Sequence, residues 1–284
     1  MADTLEKIVA LVDGSEYSHS VCDHAAWVAS KIGGHVVVAH ILGRREAKAD
    51  RSGNIGLGAR TKLMEDLAAL DEERAKLNQV RGRAILEDAE ARIAAAGVSV
   101  STVLRQGDLL AELATLAADA ELVVIGKRGE AADFAKLHLG SNVERVVRSC
   151  EKPILVTSRA FKPVESFALA FDGGASSLKA VDHVANAKLF QGLPGQVVTV
   201  GTQTAEAKQK LDGAAALLSG AGLEVTASFV DGQPETAIAG LVGDDGADML
   251  VMGAYGHSRV RSLIIGSTTT EMVRSAHVPL LLFR

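Results

Sequence analysis

Apolar residues fall along this chain in two rhythms. Short unbroken runs, such as residues 8–12 (Ile-Val-Ala-Leu-Val), are partly β-branched and suit strands buried on both faces. Between such runs, apolar positions recur three or four apart. Within residues 16–32 they are Val21, Ala25, Val28 and Ile32, one face of a helix. Further strands are expected at 35–41, 99–105, 121–125 and 153–157, then at 167–172, 196–201, 224–230, 248–252 and 279–283. A helical region reaches Ala96 and stops at Gly97, and residues 109–118 form another helix. Apolar strands separated by helices predict an α/β fold with a parallel sheet covered on both faces. Its crossovers should be right-handed, and its ligands should bind beyond the carboxyl ends of the strands.

The pattern occurs twice. Residues 8–15, ending Asp13-Gly14-Ser15, return as 167–174, ending Asp172-Gly173-Gly174. The run from Leu122 to Gly126 and Gly129 returns as Met249 to Gly253 and Gly256. Gly140-Ser141 precedes Val147-Arg148-Ser149 and Pro153 at the same offsets as Gly266-Ser267 precedes Val273-Arg274-Ser275 and Pro279. Asp13 and Asp172 are 159 positions apart, but Gly126 and Gly253 only 127, so the first half holds about 32 extra residues. That surplus lies between His40 and Leu86. It begins with a glycine- and charge-rich piece and continues as a helical pattern carrying Leu63, Leu67 and Leu70. Two domains are expected, residues 1–160 with an insertion at about 43–82, and residues 161–284, meeting near 158–165.

Composition narrows the function. The chain is 48% hydrophobic with five Pro, which excludes a disordered or Pro-rich linker protein. A net charge of −5 argues against a dedicated nucleic-acid binder. Cys22 and Cys150 form no CxxC and no disulfide scaffold, the N-terminus carries acids where a signal peptide wants bases, and no apolar stretch is long enough to span a membrane. A cytoplasmic protein is the expectation.

The chemistry-bearing residues cluster at the expected carboxyl ends of strands. Gly253-Ala-Tyr-Gly256 is followed by nine residues and then by Gly266-Ser267-Thr268 at a helix start. Glycines let a backbone approach a phosphate, a helix start offers N–H groups, and Ser267 and Thr268 add hydroxyls. His257, Arg259 and Arg261 could neutralise phosphate or form a basic loop. Asp172, like Asp13, sits where strand one ends; it could accept from a ribose hydroxyl or an adenine amine, or form a local Asx turn. In the first half, ten residues rather than nine separate Gly129 from Gly140-Ser141-Asn142, and they include Glu130 and Asp133. Lys127 and Arg128 could pair with phosphates there, or form a solvated loop. His19, Cys22 and His24 do not share a helix face, so a zinc site is not expected. Cys150 is read as a small apolar filler.

On these motifs the chain resembles a tandem universal stress protein over essentially its whole length. Gly253, Gly256, Gly266 and Ser267 match the pattern Gly-x2-Gly-x9-Gly-Ser/Thr, which is similar to that family's ATP-binding signature. The resemblance implies a five-stranded, Rossmann-like parallel sheet in each half. It implies an ATP site at Phe171, Asp172, Val200, Gly253, Gly256, His257, Gly266, Ser267 and Thr268, with Mg2+ arriving with the nucleotide. A possible second ATP site would comprise Val12, Asp13, Ile41, Gly126, Gly129, Gly140, Ser141 and Asn142. Ile41 and Val200 stand where the family places its adenine wall. Members commonly pair through the last strand, so the two halves could form an internal pseudo-dimer, and a homodimer is possible. Members divide into ATP binders and non-binders. Three functions therefore stay open: a nucleotide-dependent switch with at most slow hydrolysis and the better site in the second half, an ATP-using enzyme, and an interaction protein binding a protein or apolar ligand through the insertion.

Overall fold

The computed structural model describes residues 5–43, 57–127, 141–244, 246–255 and 265–284; the side chains of 57–61 and 141 are left aside. Its first half runs β1 (Lys7–Leu11), α1 (Tyr17–Ile32), β2 (His35–Gly43), α2 (Leu57–Ala95), β3 (Ser99–Gly107), α3 (Leu109–Ala117), β4 (Ala120–Gly126), α4 (Ser141–Ser149) and β5 (Ile154–Thr157). The second runs β6 (Phe167–Ala170), α5 (Ala175–Asn186), β7 (Gly195–Val200), α6 (Ala205–Gly220), β8 (Val225–Val230), α7 (Pro234–Ala239), β9 (Met249–Gly253), α8 (Ser267–Ser275) and β10 (Leu280–Phe283). The strands expected from sequence are all present, displaced by a residue or two at their ends.

All ten described strands share one sheet, in the order β3-β2-β1-β4-β5-β10-β9-β6-β7-β8. Neighbours within each half are parallel, as β1 is to β2 and β4. The halves meet where β5 and β10 run antiparallel, Leu155 opposite Leu281. The period-two alternation of strands explains how one sheet feeds two cores. Ile8, Ala10 and Val12 face a layer containing α1, α2, α5 and α6, while Val9 and Leu11 face the layer of α3, α4, α7 and α8. The central strands β5, β6 and β10 are short and buried throughout because neither of their faces meets water, whereas the edge strands β3 and β8 carry exposed polar residues.

Two local features shape the ligand end of the sheet. After β1 and β6 the chain turns on an Asp-Gly pair, with Gly14 at φ +79° and Gly173 at φ +71°. The left-handed region is open to glycine without steric cost. The helix after β2 differs between halves: α2 has 39 residues and α6 has 16. The expected insertion at 43–82 does not end as a separate element at 82, because α2 continues unbroken to Ala95. Its C-terminal part packs on the sheet through Leu86, Ala89 and Ile93, and Gly97 at φ +74° follows as expected.

Candidate nucleotide-binding site

In the second half, the carboxyl ends of β6, β7 and β9 open onto a cavity of about 260 Å³. Its walls include Val198, Val200, Ile238 and Met252, and its rim includes Asp172, Tyr255 and Gly266 through Thr269. This is the crevice where the strand order reverses, since β6 is flanked by β7 on one side and β9 on the other. The volume is just below the roughly 300–1,000 Å³ usual for small-molecule pockets, and one apolar side faces a polar rim. Such a shape suits a flat heteroaromatic ring with a charged tail.

The structure brings Phe171, Asp172, Val200, Gly253, Gly266, Ser267 and Thr268 together around this cavity. Val200, with little surface of its own, shares the apolar wall with Val198, Ile238 and Met252. Ile238 enters from α7, an element outside the sequence motif. Phe171 belongs mainly to the opposite core layer, where it packs with α5 and α6 residues. Its backbone is fixed by its N–H to the Val198 carbonyl at 2.8 Å, and its own carbonyl accepts from the Thr199 hydroxyl.

The glycines have separate reasons. A Cβ on Gly253 would lie 2.8 Å from the Ser176 Cβ and 3.1 Å from the Ser177 nitrogen, so this strand end touches the start of α5. Gly266 has φ −58° and ψ 147°, open to any residue, and is the N-cap of α8. Ser267 is therefore the first helical residue rather than a cap. Gly266 N–H donates to the Ala254 carbonyl at 3.1 Å, which ties the helix start to the β9 end. The Thr269 hydroxyl adds a bond to the Gly253 carbonyl at 3.2 Å. The first N–H groups of a helix have no acceptor within it and carry its positive dipole end. In α8 they belong to Ser267, Thr268 and Thr269, which line the cavity.

Asp172 makes the local turn that its sequence context allows. Its Oδ1 accepts from the Gly174 N–H at 2.8 Å and from the Ser177 hydroxyl at 2.6 Å, pinning the start of α5. Asp13 repeats this with the Ser15 N–H at 3.0 Å and the Ser18 hydroxyl at 3.4 Å. Both carboxylates are thus structural, and Asp172 also borders the cavity.

One residue near the site had no sequence signal. Glu235, in the first turn of α7 behind Pro234, accepts the Thr268 hydroxyl at 2.9 Å. Its own backbone N–H first, then the Thr268 and Ser267 hydroxyls, hold its carboxyl below the usual glutamate range. An acidic group is therefore bonded to hydroxyls at the start of α8. Only the packing of α7 on α8 brings residues 33 positions apart into this contact.

The first half is built differently. Val12 is buried, and its carbonyl is hydrogen-bonded by His40 Nδ1 at 2.7 Å. Ile41 is half-buried at the β2 end, Gly126 is buried at the β4 end, and Asn142 is exposed on α4. Lys127 is not a solvated loop residue. It is 8% exposed, and its Nζ donates to the Ala276 carbonyl at 2.9 Å, just past α8 of the other half. In return Tyr255 donates to the Arg148 carbonyl on α4 at 3.3 Å. The end of each helix thus takes a donor from the opposite half. Asp108 caps α3 and pairs with Arg145 at 2.9 Å. Gly129, Gly140, Gly256 and His257 lie outside the described residues, as do Arg128, Arg259 and Arg261.

The discounted clusters stay apart. His19 pairs with Asp88, while His24 is buried edge-on to Phe161. Burial pushes the Cys22 thiol up to about 12, which makes it unreactive. No group of three or more His, Cys, Asp or Glu able to hold a metal occurs among the described residues. No helix among them is long and apolar enough to cross a membrane.

The fold agrees with comparisons to known proteins. The chain is 38% identical over 287 residues to the universal stress protein Slr1230 of Synechocystis, a match covering 99% of this chain and 100% of that one. It is 28% identical over 81 residues to the universal stress protein MJ0577 of Methanocaldococcus jannaschii, covering 28% of this chain and half of that protein. A crystal structure of a universal stress protein from Archaeoglobus fulgidus superposes with a TM-score of 0.71 at 20% identity, covering 98% of this chain and 96% of that one. The profile of the universal stress protein family matches residues 4–158 and again 181–284, and the chain belongs to that family.

Proposed function

We propose that the second half binds ATP and that the protein works as a nucleotide-dependent switch. The observation that carries this reading is the apolar cavity at the strand switch point, which borders the start of α8 with its Ser267 and Thr268 hydroxyls. The adenine would lie against Val198, Val200 and Ile238, the ribose near Asp172, and the phosphates over the α8 N-terminus. Mg2+ would enter on the phosphate oxygens. Phosphoryl transfer to water needs a group that positions the attacking water. The carboxylate nearest the α8 start, Glu235, is already held by Thr268, so binding rather than turnover is the expected activity.

The β5–β10 pairing would make the two halves an internal pseudo-dimer, each locking a helix end of the other through Lys127 and Tyr255. A change at α8 then has a direct route to the first half, because the Ala276 carbonyl that Lys127 holds follows that helix. Titration calorimetry of nucleotide-free protein with ATP and Mg2+ tests the reading. One site per chain, weakened by changes at Asp172 or Gly253, is the expected result. Two sites of equal affinity would refute the preference for the second half. No binding at millimolar ATP would refute the nucleotide reading altogether.

A further inference from the structure

The most exposed apolar surface of the described residues lies on α2, far from the cavity. Every residue from 62 to 81 is exposed. Six of the nine large hydrophobic residues exposed among the described residues fall in this stretch: Leu63, Met64, Leu67, Leu70, Leu77 and Val80, each 38–63% exposed. At 100° per residue, Leu63, Leu67, Leu70 and Leu77 form one stripe, with Met64 and Val80 on its flanks. An isolated helix of about 20 residues is marginal in water, and most helical stability in proteins comes from packing of an apolar face. The stripe therefore wants a partner.

The charges say which partner. From 65 to 73 the helix carries Glu65, Asp66, Asp71, Glu72 and Glu73 and no base; from 74 to 83 it carries Arg74, Lys76, Arg81 and Arg83 and no acid. The helix is thus acidic, then basic, with the change between Glu73 and Arg74. Reversing it about that point places Leu70 on Leu77 and lays the acidic block of one copy along the basic block of the other. The charge blocks are complementary, and Leu70 meets Leu77, about the same centre, as a two-fold interface requires. A parallel pairing would oppose like charges along its whole length.

We propose that residues 63–80 of α2 pair antiparallel with the same segment of a second copy of the chain. The interface is independent of the nucleotide site and of the internal β5–β10 seam. Each α2, about 58 Å long at 1.5 Å per residue, is anchored in its own core by Leu86, Ala89 and Ile93 and exposes the half before them. The dimer would join two chains by a pair of helices crossing near Glu73 and Arg74.

Sedimentation equilibrium of the full chain over the micromolar range tests this. The wild type should be a dimer, and Leu70→Asp/Leu77→Asp should be a monomer with unchanged circular dichroism and melting temperature. Asp66→Lys/Glu73→Lys and Arg74→Glu/Lys76→Glu should each be monomeric alone, and an equimolar mixture of the two should regain the dimer. A monomeric wild type would overturn the proposal and leave the stripe to a different protein. A dimer that survives the leucine substitutions would overturn it in favour of another surface, such as the exposed edge strands β3 and β8. Failure of the charge-reversed pair to reassociate would overturn the antiparallel register.

Discussion

The two strand-one turns and their surroundings share a backbone plan but differ in what has been built on it. Asp13-Gly14 and Asp172-Gly173 make the same turn, with the same carboxylate bonds to a following N–H and a serine hydroxyl. Around Asp172 the plan opens into an apolar cavity. Around Asp13 it is met by α2: a Cβ on Gly14 would lie 2.7 Å from Ile85 Cδ1 and 3.9 Å from Arg81 Nη2. Beyond β4, Lys127 is committed to the second half. A repeated motif thus reports first on the turn it builds. What it can bind depends on the elements that later close around it.

Replacing each aspartate separates those roles most sharply. Asp172→Ala should weaken ATP binding by roughly 10–100-fold, the scale of losing a hydrogen bond to a charged group. Asp13→Ala should leave that affinity within about twofold, while both variants lose about 1 kcal/mol of stability through the lost turn and cap. Calorimetric titration beside urea unfolding reads both quantities. Equal affinity losses would mean that the two halves bind alike.

Gly253→Ala comes next. Its new Cβ meets Ser176 Cβ at 2.8 Å and the Ser177 backbone at 3.1 Å, so β9 or α5 must move. A destabilisation of about 1–3 kcal/mol is expected from such overpacking, with weaker nucleotide binding because the cavity floor shifts. An unchanged melting curve would show that the contact yields freely.

The turn glycines should rank Gly14 above Gly173. Both lie at positive φ, so alanine strains either by roughly 1 kcal/mol. Gly14→Ala also meets Ile85, whose side chain packs against the core, whereas Gly173→Ala meets the flexible Lys210 Cδ at 3.1 Å. Thermal unfolding of the two variants gives the order directly, and a reversed order would place the tighter packing in the second half.

The smallest effect is expected at Glu235. Glu235→Gln removes a negative charge from the start of α8 while keeping an acceptor for Thr268. ATP affinity should rise about two- to fivefold, the scale of an exposed charge interaction, and adenosine affinity should stay unchanged. Since this carboxyl titrates below the usual glutamate range, its charge persists at neutral pH, and the gain should be uniform from pH 6 to 8. A gain for adenosine as well would assign the effect to cavity shape rather than charge.

Much of this was legible in the residues. Apolar runs, helical spacing and the repeat located every described strand to within a few positions, because the central strands are buried on both faces and read as unbroken apolar runs. The repeat fixed the order of elements in the second half, and Gly253 and Gly266, singled out by their spacing, both line the cavity. Other features had no local signal. In sequence Lys127 reads either as a phosphate ligand or as a solvated loop residue, and neither reading carries a signal for its buried ammonium bonding a carbonyl 149 residues along the chain. Ile238 and Glu235 reach the site only because α7 packs on α8.

The chain's own sequence determined the period of each element, the two-fold repeat, the acid-then-base order of α2 and the Asp-Gly turns, because these depend on neighbours within a few residues. Tertiary structure alone decided that β5 and β10 pair antiparallel, that α2 continues past its packed end into solvent, and that only the second turn borders the apolar cavity described. Those outcomes depend on which surfaces meet once the sheet has formed, and contacts between residues more than a hundred positions apart leave no periodicity to read.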